Sequence, residues 1–269
     1  MRTNPRAMLA CCIALSTVGL AKADFNIDVT TITSYQSPAL NFYYTYGDDR
    51  RDWNTAGKLA GGQFLDVTSI PGGNTLATGV LAFCVTIDQI QSLGTYQVET
   101  QGAADHPFNP AQDGKLVTII TSAFELYQQY VASAPTDPLG HGGVYAMLAG
   151  AQVSIWQSIY GGNFDWYTTP DPSNPPGGGN DPKDPDVDYW FTYFMTHVDT
   201  GSIADLVYLL DRHTGYQNDN NKQDLVTLAG RPGGFPDPLL VEAVPLPSSV
   251  MIGLLAVCLL FVVRIKGTI

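Results

Sequence analysis

Cys84 stands within Leu81-Ala82-Phe83-Cys84-Val85-Thr86-Ile87-Asp88. This stretch is apolar and β-branched and follows the turn-like Pro71-Gly72-Gly73-Asn74, which predicts a strand. The chain has four cysteines. Cys11 and Cys12 fall in an N-terminal targeting segment and Cys258 in a C-terminal apolar segment, so the body carries one thiol and cannot form an internal disulfide. A lone thiol in an exported body has three readings: intermolecular pairing, a reactive nucleophile, or a buried core residue. Cysteine is among the most commonly buried residues, so plain packing is the reading the others must beat.

A Cys–His hydrolase is one chemistry to weigh. His106, His141, His197 and His213 all lie in or near expected loops or element ends. No protease motif surrounds Cys84, and a strand position lacks the helix N-terminus that lowers a thiol pKa. The sequence has no serine elbow, phosphate loop, dinucleotide fingerprint or Cys/His metal set. Asp181, Asp184, Asp186 and Asp188 could suggest calcium, but their spacing matches no EF-hand and no terminal bidentate Glu follows. The expectation is therefore no enzyme, no cofactor and no metal. A net charge of −12 argues against nucleic acid, which would need clustered Lys and Arg.

The elements that must position Cys84 divide by period. Residues 25–29, 40–46, 64–70, the Cys84 stretch and residues 95–100 read as strands separated by Gly and Asn/Asp turns, an antiparallel sheet or sandwich. Helical spacing then takes over, at Lys115–Val131, Val144–Tyr160 and Val187–Val198. A Pro/Gly/Asp-rich loop, 169–186, separates the last two. Strand character returns at Ile203–Asp211 and Gln223–Leu228, a closing hairpin. The fold class is thus α+β: a β-sandwich or sheet core with an inserted helical part.

The ends read as addresses. Arg2 and Arg6, an apolar run to Leu20 and Ala21-Lys22-Ala23 form a secretory signal peptide over 1–23, cut after Ala23. Too little apolar sequence precedes Cys11 for a lipoprotein signal. The exported domain spans 24–229 and a Gly/Pro-rich tether spans 230–243. Val244-Pro245-Leu246-Pro247-Ser248-Ser249 then leads into an apolar run, Val250–Val263, followed by Arg264 and Lys266. The run is shorter than the ~20 residues that span a bilayer comfortably. Residues 244–269 resemble the PEP-CTERM class of bacterial sorting signals, and most closely its VPLPA variant, with Ser248 where that variant has Ala. The resemblance implies a C-terminal transmembrane sorting helix, recognition by an exosortase-type processing enzyme, and display at the cell surface or in the extracellular matrix.

Two further segments tie Cys84 to a family. Ala151-Gln152-Val153-Ser154-Ile155-Trp156 resembles the TQxA-I-W motif of bacterial surface thioester domains, and Phe83-Cys84-Val85 matches their aromatic-Cys-apolar motif. Gln223-Asp224-Leu225-Val226-Thr227 is a partial match to a third motif, with Lys222 where an apolar residue belongs. The resemblance implies that the cysteine attacks a glutamine carboxamide, ammonia leaves, and an internal thioester forms that a partner amine can open. By family pattern Gln223 is the acyl partner and Gln152 a hydrogen-bonding support, with Gln152 the alternative partner. Such a bond needs near-attack geometry and an apolar shell, which Phe83, Trp156 and Tyr160 could supply. The function implied is adhesion through acylation of an amine on a surface protein or polysaccharide. The alternative is a passive matrix protein of the same fold with no live thioester.

Overall fold

The computed structural model describes residues 25–34, 40–46, 49–58, 61–70, 73–87, 93–100, 108–134, 136–167, 183–197, 201–210 and 224–236. The segments carrying Ala23, Gln223, His106, His213, Asp181, Val244, Pro245, Leu246, Pro247 and the C-terminal apolar run lie outside the described residues.

The chain is mixed α and β, and its main sheet is a closed six-stranded antiparallel barrel rather than a sandwich. The strands are β1 (Phe25–Ser34), β4 (Gln63–Ser69), β5 (Thr75–Cys84), β6 (Gly94–Thr100), β8 (Leu206–Leu210) and β9 (Leu225–Leu228), ordered β1-β4-β5-β9-β8-β6. Closure arises because β1 pairs with β4 on one side and β6 on the other. The last strand, β9, enters between β5 and β8 and completes the circuit. Such long-range pairing leaves no mark in local alternation, which is why the sequence suggested only a sheet or sandwich. A second sheet, ordered β3-β2-β7, is built from β2 (Leu40–Tyr46), β3 (Asp49–Lys58) and β7 (Phe164–Tyr167).

Three helices occupy the chain between β6 and β8: α1 (Pro110–Ser133), α2 (Gly143–Tyr160) and α3 (Pro185–Thr196). This is the inserted helical part expected from the change of period. α1 opens with a capping box, Asn109 accepting from the Ala111 and Gln112 amides while the Gln112 side chain accepts from Asn109 N–H. α3 opens on Asp184, whose carboxylate accepts from Asp186 and Val187 N–H. Asp184 thus has a structural task as a helix cap. α2 is buried almost all round, from Ala146 through Trp156, as expected of a helix with no polar face. Gly150 lets α3 cross it closely, since a Cβ there would lie 2.5 Å from Trp190 Cβ.

The strands place one set of side chains inside the barrel and the other under the helices. Ile27, Val29, Leu65, Val67, Val80, Ala82, Cys84, Val98, Leu209 and Leu225 share the inner face by register and are all buried. Phe83, Val226 and Tyr208 alternate with them and face the helices, buried too. There the Tyr208 hydroxyl donates to Asp113 Oδ1 at 2.7 Å, tying β8 to the first turn of α1. Burial, and then the bond to and charge of Asp113, push the Tyr208 hydroxyl far above its ordinary range.

The folded body continues past Ala229. Phe235 is fully buried, its N–H donates to Leu228 O at 2.7 Å, and Leu81 N–H donates to Gly233 O at 2.8 Å. Among the described residues no helix is long and apolar enough to cross a membrane.

Candidate thiol–carboxamide site

Cys84 is the last residue of β5, so the strand stops there rather than running on to Asp88 as the sequence suggested. The reason lies in what each edge of β5 meets. Val85 N–H still bonds to Asp224 O on the β9 side, at 2.9 Å. In an antiparallel ladder successive residues bond to opposite neighbours, so the peptide groups of Cys84 face the β4 side. β4, however, begins only at Gln63, which pairs with Ala82. Beyond that point the Gln152 side chain takes the place of a strand. Cys84 N–H donates to Gln152 Oε1 at 2.8 Å, and Gln152 Nε2 donates to Cys84 O at 2.6 Å. One carboxamide thereby satisfies both backbone groups of the cysteine in a site where Gln152 is 1% exposed.

This use of both amide atoms defines Gln152 as a support that fixes the Cys84 backbone. It leaves the Gln152 amide aimed at the backbone, not at the sulfur. One turn further along α2 stands Trp156, buried, its ring 6.0 Å from that of Phe164. Two turns further, the Tyr160 hydroxyl donates to Val85 O at 3.3 Å. The face of α2 carrying Gln152, Trp156 and Tyr160 therefore runs along the end of β5. Phe83 lies elsewhere: its side chain points to the helix face of the barrel, opposite the Cys84 thiol, so it packs the core behind the site.

The group at the sulfur is one that motif reading missed. Gln63 Nε2 lies 2.5 Å from Cys84 Sγ. Gln63 is 2% exposed, and its Oε1 is buried with no hydrogen-bond partner. The pair is brought together by register. Gln63 faces Ala82 on the inner side of the barrel, and Cys84 is the next residue along on that side.

The register depends on two irregularities in the β4–β5 ladder, between Leu65 and Val67 and between Val67 and Thr68. The first contains Gly79, which has φ +64° and donates its N–H to Asp66 Oδ1 at 3.0 Å. A glycine in the left-handed region is the usual way to seat such a bulge. Gly79→Ala should cost about 1–2 kcal/mol from the Cβ clash in that region. A thermal unfolding scan will show the loss.

Neither described histidine serves as a base for the thiol. His141 stacks on Tyr189 at 3.6 Å and His197 on Tyr193 at 4.7 Å, both on α3. No group of three or more His, Cys, Asp or Glu side chains that could hold a metal occurs among the described residues. Among the described residues the site brings together a buried thiol, a carboxamide holding its backbone and a second carboxamide at its sulfur.

Comparison with family models, with curated proteins and with solved structures finds no match for this chain.

Proposed function

We propose that this chain is an exported surface protein that attaches covalently to a partner through an internal Cys–Gln thioester. The observation that carries the reading is the pair of carboxamides at Cys84, one on its backbone and one at its sulfur. The buried backbone of a core cysteine needs a partner such as Gln152, but its sulfur needs no carboxamide beside it. In the proposed chemistry the thiol adds to a glutamine carboxamide, ammonia leaves, and the acyl group is stored as a thioester inside the barrel wall. Burial of Cys84 at 5% exposure protects the thioester from water. An amine of a surface protein or polysaccharide then takes the acyl group and releases the thiol.

The ends of the chain supply the setting of this proposal. The 1–23 segment directs export, and the VPLP-type tail at Val244–Pro247 with its apolar run acts as a membrane-inserted sorting signal for an exosortase-type enzyme. A passive matrix component of the same fold is the second reading, favoured by the burial of the Cys84 end of β5, Val80–Cys84, in the core. A biotin-linked alkylamine separates the two. Covalent, denaturation-resistant labelling of the native chain, abolished by Cys84→Ser, is expected for the thioester. No labelling above the Cys84→Ser background would leave the passive reading standing.

A further inference from the structure

We infer that Gln63, on the strand beside Cys84, is the acyl partner of the thioester; this rests on the covalent reading above. Gln63 Nε2 is 2.5 Å from Sγ. The contact brings the Gln63 carboxamide to the sulfur through its nitrogen. Cδ lies one amide bond, about 1.33 Å, from Nε2, which puts it within about 3.8 Å of the sulfur. Reacting atoms in a near-attack conformer stand about 3–3.5 Å apart.

The surroundings point the same way. Gln152 has both amide atoms bound to the Cys84 backbone, so of the two described carboxamides only that of Gln63 is presented to the sulfur. Gln63 Oε1 is a buried acceptor with no partner, an arrangement that ordinarily costs about 1–3 kcal/mol. As a thioester carbonyl the same oxygen carries less negative charge than in an amide and loses less by lacking a donor. In the step, the Sγ–Cδ bond forms and the Cδ–Nε2 bond breaks. The thiol proton leaves with Nε2 as ammonia, and no oxidant or reductant is needed. When a partner amine adds to Cδ, the Cδ–Sγ bond breaks and an amine proton returns to the sulfur. Residue 63 is left as a secondary amide.

The experiment is to treat the full, purified chain with methylamine, digest it and fragment the peptides. Methylamine converts the acyl residue to N-methylglutamine, so the label reports its position directly. The label is expected at residue 63, absent from Cys84→Ser, and absent from Gln63→Glu, a near-isosteric variant. Label at Gln223 or Gln152 would overturn the assignment while sustaining the thioester. No label anywhere in the wild-type chain, with a thiol that alkylates fully on denaturation, would overturn both. Because position is read on the wild-type chain, misfolding of a variant does not obscure the answer.

Discussion

A freshly purified chain lacking residues 1–23 and 244–269 is expected to weigh one ammonia less than its sequence, and Cys84→Ala should restore the full mass. The deficit should approach one per molecule. Proximity in a folded site can supply several kcal/mol toward an otherwise slow attack of a thiol on an amide. The conditions are met in the structure: the Cys84 backbone is clamped by Gln152 and the thiol lies in a water-poor wall. The thiol should resist alkylation in the folded, bonded form. After denaturation in the presence of a small amine the mass should rise by that amine and the thiol should become titratable. A full sequence mass with a thiol that titrates at once on unfolding is the result that removes the thioester. Alanine at 84 deletes only a sulfur from the core, so the control should stay folded at a modest loss of stability.

Gln152→Leu is expected to cost about 2–5 kcal/mol of stability and to abolish the mass deficit. The size follows from what the variant strands. The N–H and C=O of Cys84 are buried, both bond to Gln152, and each group left without a partner costs about 1–3 kcal/mol. That is a large share of the roughly 5–15 kcal/mol that holds a typical domain together. The bond is lost for a separate reason, since the backbone that aims the thiol is no longer fixed. Gln157→Leu is the matched control on the same helix. It gives up one bond, from Gln157 Nε2 to Gly161 O, at the half-buried C-terminal end of α2. It should cost roughly 0.5–1.5 kcal/mol and leave the mass deficit intact. Denaturant titration gives the stabilities and intact mass the bond. A Gln152→Leu protein that keeps the deficit would show that the clamp serves folding alone.

Much of the architecture was legible because it is written in local periods. The helical spacings at 115–131, 144–160 and 187–198 correspond to α1, α2 and α3, shifted by a few residues at the ends where Asn109 and Asp184 cap. Leu206–Leu210 and Leu225–Leu228 form the antiparallel pair expected of a closing hairpin. β3 and β7 escaped notice because Asp49–Lys58 is polar and charged and Phe164–Tyr167 is only four residues long. Asp49–Lys58 lacks the apolar alternation that marks a half-buried strand, and Phe164-Asp165-Trp166 alternates over too few residues to stand out.

The site divides in the same way. Cys84 and Gln152 could be picked out from the sequence because each sits inside a short motif, and the structure joins them by two hydrogen bonds across 68 residues of chain. Gln63 carries no such motif, and counting from the hairpin turn would have misplaced it. At the turn end Thr68 faces Thr75, and an unbroken ladder would set Gln63 opposite Val80, two residues short. The bulge at Gly79 and the second shift beside it move Gln63 opposite Ala82 and so to the sulfur. Residue types and periods determine which segments become helix or strand, because propensity and burial act locally. Which side chains meet at Cys84 is decided by barrel closure and by the two-residue slip of β5 against β4, and these follow from the packing of the whole chain.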